Sequence, residues 1–65
     1  MQLVINGENR RFDNVSTVQD LVEALDLEGR LAVEINRVIV PRSRYRLHTL
    51  QPGDTIEIVH AIGGG

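Results

Sequence analysis

Thr55-Ile56-Glu57-Ile58-Val59-His60-Ala61-Ile62-Gly63-Gly64-Gly65 closes a 65-residue chain, and its first half and second half obey different rules. Ile56 and Ile58 alternate with polar neighbours in the period-2 pattern of a half-buried strand, with Val59 on the opposite face. The three glycines that follow have nothing to bury and maximise backbone entropy, so they contribute nothing to a core. The plain reading of such an end is a frayed terminus. The functional reading is a tail that must pass where side chains cannot. The strand runs almost directly into the glycines with no polar spacer, which favours the second.

Working outward, Met1-Gln2-Leu3-Val4-Ile5 also reads as a strand, with Met1, Leu3 and Ile5 on one face. Asn6-Gly7 suits a two-residue type I′ turn, whose central residues both need positive φ, and predicts a hairpin returning over Glu8 to Asp13. Ser16 and Gln19 have capping-box spacing. Val18, Leu21, Val22 and Leu25 follow at i, i+3, i+4 and i+7, an apolar helical stripe, and the helix is expected to stop between Asp26 and Glu28, before Gly29. Leu31, Val33 and Ile35 form the inner face of a third strand, Val38 to Val40 a fourth closed by Pro41. Tyr45, Leu47 and Leu50 are expected to cover one end of the core. Gln51-Pro52-Gly53-Asp54 reads as a turn. One stripe on one helix needs one sheet face, so the predicted fold is α+β: a mixed sheet with one main helix on one face, first and last strands parallel at its centre, as in a β-grasp. A single domain over 1–60 and a flexible glycine-rich tail over 61–65 are expected.

The 7 Lys+Arg are all arginine and face 9 Asp+Glu, a net charge of -2. That balance argues against a dedicated nucleic-acid or membrane-surface binder. With no cysteine, disulfides, thiolate metal sites and thiol nucleophiles are excluded, and no metal site is expected. No apolar run approaches the roughly 18 residues of a membrane span. The chain opens directly on a strand, so no signal peptide is expected, and cytoplasmic residence is the default. So small a chain has little room for a catalytic pocket of roughly 300 Å³. A carrier or binding module is therefore favoured over an enzyme.

The chemistry then falls to Gly65. Its α-carboxylate, with a pKa of about 3.3–3.7, is ionised at neutral pH and a poor electrophile. Activation requires one oxygen to become part of a leaving group, most simply by adenylation with ATP. The activating partner must thread Gly63 and Gly64 down a narrow channel, and the five residues after His60 reach at most about 17 Å. A carrier without cysteine cannot hold sulfur as a persulfide, so the terminal carboxylate, as a thiocarboxylate, is the evident handle.

These features resemble the ThiS family of bacterial thiamine-pathway sulfur carriers, which are ubiquitin-like β-grasp proteins. The resemblance covers the whole chain: Met1 to Gly7, Thr17 to Leu21, Asn36-Arg37-Val38-Ile39-Val40-Pro41-Arg42 with Tyr45, and most specifically Gly53 to His60 followed by Ala61-Ile62-Gly63-Gly64-Gly65. It implies that a ThiF-type adenylyltransferase uses ATP and Mg²⁺ to adenylate Gly65. Sulfur from a donor such as a cysteine desulfurase then replaces AMP, and the thiocarboxylate serves thiazole synthase, ThiG. On this reading the chain is a protein co-substrate with no bound cofactor, not an enzyme. Three alternatives stay open: a small subunit of molybdopterin synthase, MoaD-like; a ubiquitin-like protein modifier; and a passive β-grasp binding module.

Other residues carry paired readings. Val4, Val59 and Ile62 form a candidate docking patch for the partners, or are scattered exposed aliphatics. Arg37, Arg42, Arg44 and Arg46 are either a docking surface for an acidic partner or a solvated loop. His60 either lines the activating channel or is simply exposed at a strand end.

Overall fold

A computed structural model describes residues 1–60 of the chain. The expected tail over 61–65, with Ile62, Gly63, Gly64 and Gly65, lies outside the described residues. Five strands and one helix follow in the order β1 (Gln2–Ile5), β2 (Glu8–Arg11), α1 (Val18–Ala24), β3 (Leu31–Ile35), β4 (Val38–Val40) and β5 (Thr55–His60), with a short 3₁₀ turn at Arg42–Arg44. The sheet order is β2-β1-β5-β3-β4. β1 and β5 are parallel and every other pair is antiparallel, so the first and last strands sit together at the centre as expected.

Local chemistry accounts for the two hairpins. Asn6 and Gly7 both have positive φ, 49° and 82°, as a type I′ turn demands. Asn36 and Arg37 repeat the device between β3 and β4 with φ of 50° and 71°. The Gln51–Asp54 turn is closed by the Asp54 N–H on the Gln51 carbonyl at 3.1 Å, with Gly53 at φ 88°.

The helix ends differ from expectation. Its N-cap is Thr17 rather than Ser16, and the capping box is Thr17–Asp20, not Ser16–Gln19. Thr17 Oγ1 accepts from the Asp20 N–H, and the Asp20 carboxylate accepts from the backbone N–H groups of Ser16 at 2.9 Å and Thr17 at 3.1 Å. The reason is tertiary. Ser16 gives its carbonyl to the Leu50 N–H, and Thr17 bridges to Thr49, so the chain is still extended at Ser16. The next two orphan donors, on Val18 and Gln19, bond the carbonyls of His48 and Tyr45. The stretch from Arg42 to Leu50, ambiguous in sequence, thus seats the start of α1.

At the other end, α1 stops at Ala24, sooner than expected. Asp26 takes the left-handed conformation at φ 55°, its N–H bonds the Glu23 carbonyl and the Leu27 N–H bonds the Val22 carbonyl. That is a Schellman motif with aspartate where glycine is usual, so Gly29 is not needed as the stop.

The core is aliphatic. Leu3, Ile5, Val33, Ile35, Ile56 and Ile58 from the sheet meet Val18, Leu21 and Val22 from α1, with Val15, Val40, Tyr45 and Leu50 closing the ends. Leu25 is only half-buried, at the C-cap. Leu47 departs from expectation: it is 70% exposed, because the turn bonding the Leu47 and His48 N–H groups to the Arg44 carbonyl directs it outward while Tyr45 turns in. Burial raises the Tyr45 phenol pKa, with Arg42 opposing.

Replacing Leu21 by alanine should cost about 2–5 kcal/mol, read by urea denaturation; a loss below about 0.5 kcal/mol would remove Leu21 from the core. The capping box predicts a pH dependence. The Ser16 and then the Thr17 N–H groups hold the Asp20 carboxyl below the ordinary aspartate value of 3.8. A depressed folded-state pKa gives stability that is present above the unfolded value and lost as pH falls through the folded one. Asp20→Ala should therefore destabilise at pH 7 and lose that effect in acid; equal destabilisation at both pH extremes would exclude the carboxylate as the cause.

Candidate functional site: the end of β5 and the open sheet face

β5 is the element that leads to the glycines, and it is held from both sides. On one side β3 pairs with it from Ile35 opposite Ile56 to Leu31 opposite His60. On the other side the β1 ladder ends at Ile5 opposite Ile56, because the chain turns away at Asn6. The Asn6 side chain then takes over. Its Oδ1 accepts from the Ile58 N–H at 2.8 Å and its Nδ2 donates to the Ile58 carbonyl at 3.0 Å. A primary amide carries one acceptor and one donor group, so it reproduces what another strand residue would offer. Asn36 does related work at the start of β5. Its Oδ1 accepts from the Thr55 N–H at 2.9 Å, its Nδ2 donates to Asp54, and its own N–H bonds the Thr55 carbonyl.

The face of the sheet opposite α1 is open. Ile56 and Ile58 point into the core, so Thr55, Glu57 and Val59 point outward, and the parallel register puts Val4 beside Thr55 on that same face. Val59 is 59% exposed with Ala32 as its cross-strand neighbour, whereas Val4 is half-buried. Val59 lies four positions along β5 from Thr55, about 13 Å. Glu57 lies between, directly opposite Glu34. The structure therefore places Val4 and Val59 on one face but not in one contiguous patch, and Ile62 lies outside the described residues. His60 is exposed, beside a shallow groove at the end of β5 lined also by Asn6, Arg10 and Leu27.

Among the described residues no group of three or more His, Asp or Glu side chains is placed to hold a metal ion, and no helix is long and apolar enough to cross a membrane. Apart from Tyr45, whose hydroxyl donates to the Leu31 carbonyl, no polar side chain among them is buried. What this geometry offers chemically is a rigid exit: a central strand, fixed by backbone and by two asparagines, delivering whatever follows His60 from a defined point. The sequence reading did not single out Asn6 or Asn36 for this. The signal available was that asparagine opens both two-residue turns.

Residues 3–65 match the ThiS family. A protein of Paramagnetospirillum magneticum named thiazole synthase is 48% identical over 66 residues, covering 100% of this chain and 20% of its own length, so the chain spans about a fifth of that relative. The Bacillus subtilis sulfur carrier protein ThiS is 38% identical, covering 97% of this chain and 98% of its own. Among solved structures, the crystal structure of the thiamine biosynthesis protein ThiS from Geobacter metallireducens superposes with a TM-score of 0.86 at 29% identity, covering 100% of both chains.

Replacing Asn6 by glycine keeps the turn conformation and removes only the fork on Ile58. It should cost about 1–3 kcal/mol and speed amide exchange at Ile58 while exchange at Val33 follows only the global loss. Unchanged protection of Ile58 would show that the fork does not hold β5.

Proposed function

The chain belongs to the ThiS family, and from that premise we propose that it is a sulfur carrier of thiamine biosynthesis, bearing its sulfur on the carboxyl carbon of Gly65. The observation that carries the proposal is the family match through residue 65, which takes in the glycine tail and not only the folded body. The near-complete mutual coverage with the Bacillus subtilis carrier supports it further.

The chemistry proceeds in two displacements on the partner's nucleotide and one reduction. The Gly65 carboxylate attacks the α-phosphorus of ATP, held with Mg²⁺ by a ThiF-type adenylyltransferase, and pyrophosphate leaves. The outer sulfur of a persulfide on a donor such as a cysteine desulfurase then displaces AMP from the acyl-adenylate to give an acyl persulfide. A thiol reductant cleaves its S–S bond by two-electron reduction, leaving the sulfur on Gly65 and the donor sulfur in a disulfide with the thiol. The thiocarboxylate so formed passes its sulfur to thiazole synthase. A thiazole synthase that includes a segment 48% identical to this chain supports that pairing. On this reading the chain itself is a carrier and not a catalyst, and it works in the cytoplasm.

Its own residues have two jobs. Gly63 and Gly64 pass through a channel too narrow for side chains, with backbone freedom that glycine alone supplies. The body presents the open sheet face, with Val59 nearest the end of β5 and Val4 and Ile62 as further candidate contacts, while the Asn6 fork keeps the strand from drifting. Preorganising the exit lowers the ordering cost of threading.

Intact mass analysis of the protein from its native host should show a species heavier by about 16 Da, sulfur for oxygen, confined to the C-terminal peptide. Deleting Gly64 and Gly65 should leave the melting temperature almost unchanged yet abolish adenylation. The shortened end falls about 7 Å short of the nucleotide, beyond the reach of small adjustments. Gly64→Val keeps the length and should also cut adenylation steeply while binding through the body persists. Adenylation of the truncated chain at the normal rate would exclude Gly65 as the acceptor and leave a passive binding module as the better account.

A further inference from the structure

Three of the four large exposed aliphatics among the described residues converge at one edge of the sheet. Val38 is 62% exposed, Ile39 73% and Leu47 70%. With Val40, Pro41, Arg44 and His48 they line a groove of about 280 Å³ that wraps the free edge of β4. Arg37 directly precedes Val38, and Arg46 directly precedes Leu47. Residues 37–48 hold four arginines and no acidic residue, although the whole chain is net negative. Arg44 lines this groove, whereas Arg42 lines a separate one beside α1. Among the described residues the one ion pair is Arg11 with Asp13, so none of Arg37, Arg42, Arg44 and Arg46 is neutralised by another described side chain.

We propose that this groove is a docking site for an acidic protein segment that inserts an aliphatic or aromatic side chain between Ile39 and Leu47 and sets carboxylates against Arg44 and its neighbouring arginines. The charge excludes the obvious competitors. A second copy set edge to edge would bring arginine against arginine across the contact. A single-stranded nucleic acid needs aromatic faces to stack on, and Tyr45 is buried. Arginine beside exposed aliphatics is the composition of a protein interface, and carboxylates are the ligands its planar fork matches. The groove lies two strands from β5, about 10 Å across the sheet. A partner bound there leaves the end of β5 clear, so the site is separate from the tail chemistry and does not depend on it.

The test uses the whole, isotope-labelled chain and a synthetic peptide with one leucine flanked on both sides by paired glutamates. Titration should shift the amides of Val38, Ile39, Arg44, Leu47 and His48 together, with a dissociation constant of about 1 mM or tighter. Leu47→Ser and, separately, Arg44→Glu should each weaken binding about tenfold. Both side chains are exposed, and unchanged melting temperatures will show that both variants fold. Equal binding of the peptide with glutamine in place of glutamate overturns the proposal. So does absence of shifts in the groove at millimolar peptide, and so does tighter binding of a short oligouridylate at the same residues. None of these outcomes bears on whether Gly65 carries sulfur.

Discussion

Everything in this molecule depends on the lateral hold on β5. A strand at the centre of a mixed sheet normally has a ladder on each side, but β1 is too short to accompany β5 beyond Ile56. The deficit is met by one side chain. Asn6 must adopt positive φ for the β1–β2 turn, a conformation asparagine tolerates better than most residues. The same residue carries an amide that accepts from and donates to Ile58. Turn chemistry and ladder chemistry thus converge on a single position, and Asn36 repeats the solution at the other end of the strand. With these two forks, β5 is bonded on both sides from Thr55 to Ile58, and β3 carries it on to His60.

The second dependence is between α1 and the irregular stretch before β5. A seven-residue helix is too short to be stable alone. Here each of its early donors has a named acceptor: His48, Tyr45 and the Thr17 hydroxyl take the N–H groups of Val18, Gln19 and Asp20, and the Thr17 carbonyl takes that of Leu21. The stretch from Arg42 to Leu50 therefore acts as the seat of α1 as well as a connection. Tyr45 joins the two functions, supplying a carbonyl to the helix and a ring to the core.

The readable parts of the sequence are those governed by period and by turn chemistry. Alternation in Leu3–Ile5, Val33–Ile35 and Ile56–Ile58 assigns the inner faces correctly, and Asn6-Gly7 announces its turn. The residues from Gly53 to Gly65 carry the resemblance to the ThiS family, and the family match over residues 3–65 bears that family out. What sequence does not reveal is set by contacts between distant segments. Two overlapping capping boxes, Ser16–Gln19 and Thr17–Asp20, are equally visible, and the choice is made by Leu50 and Thr49, more than thirty residues away. Leu47 and Leu50 look alike as apolar residues three apart, yet the Arg44 turn directs Leu47 outward, while Leu50, tied through its N–H to the Ser16 carbonyl, is buried. Val4 and Val59 share a face by parity, but their distance along β5 follows from the parallel register, which no local pattern encodes.

Exposed Ile39, Val38 and Leu47 would ordinarily be a hazard, since a free strand edge with apolar side chains invites pairing with another copy. Here β4 is only three residues long and runs directly into Pro41, which has no N–H to donate. Arg37 and Arg44 flank the same edge, and their like charges oppose the approach of a second copy at low ionic strength. The edge is thus closed to backbone pairing while the side-chain groove beside it stays open. An apolar surface kept accessible but guarded against self-association fits a role in contact with other proteins. Under the proposed carrier role, which assigns the chemistry to Gly65, the folded body is left to supply stability, a fixed exit and recognition.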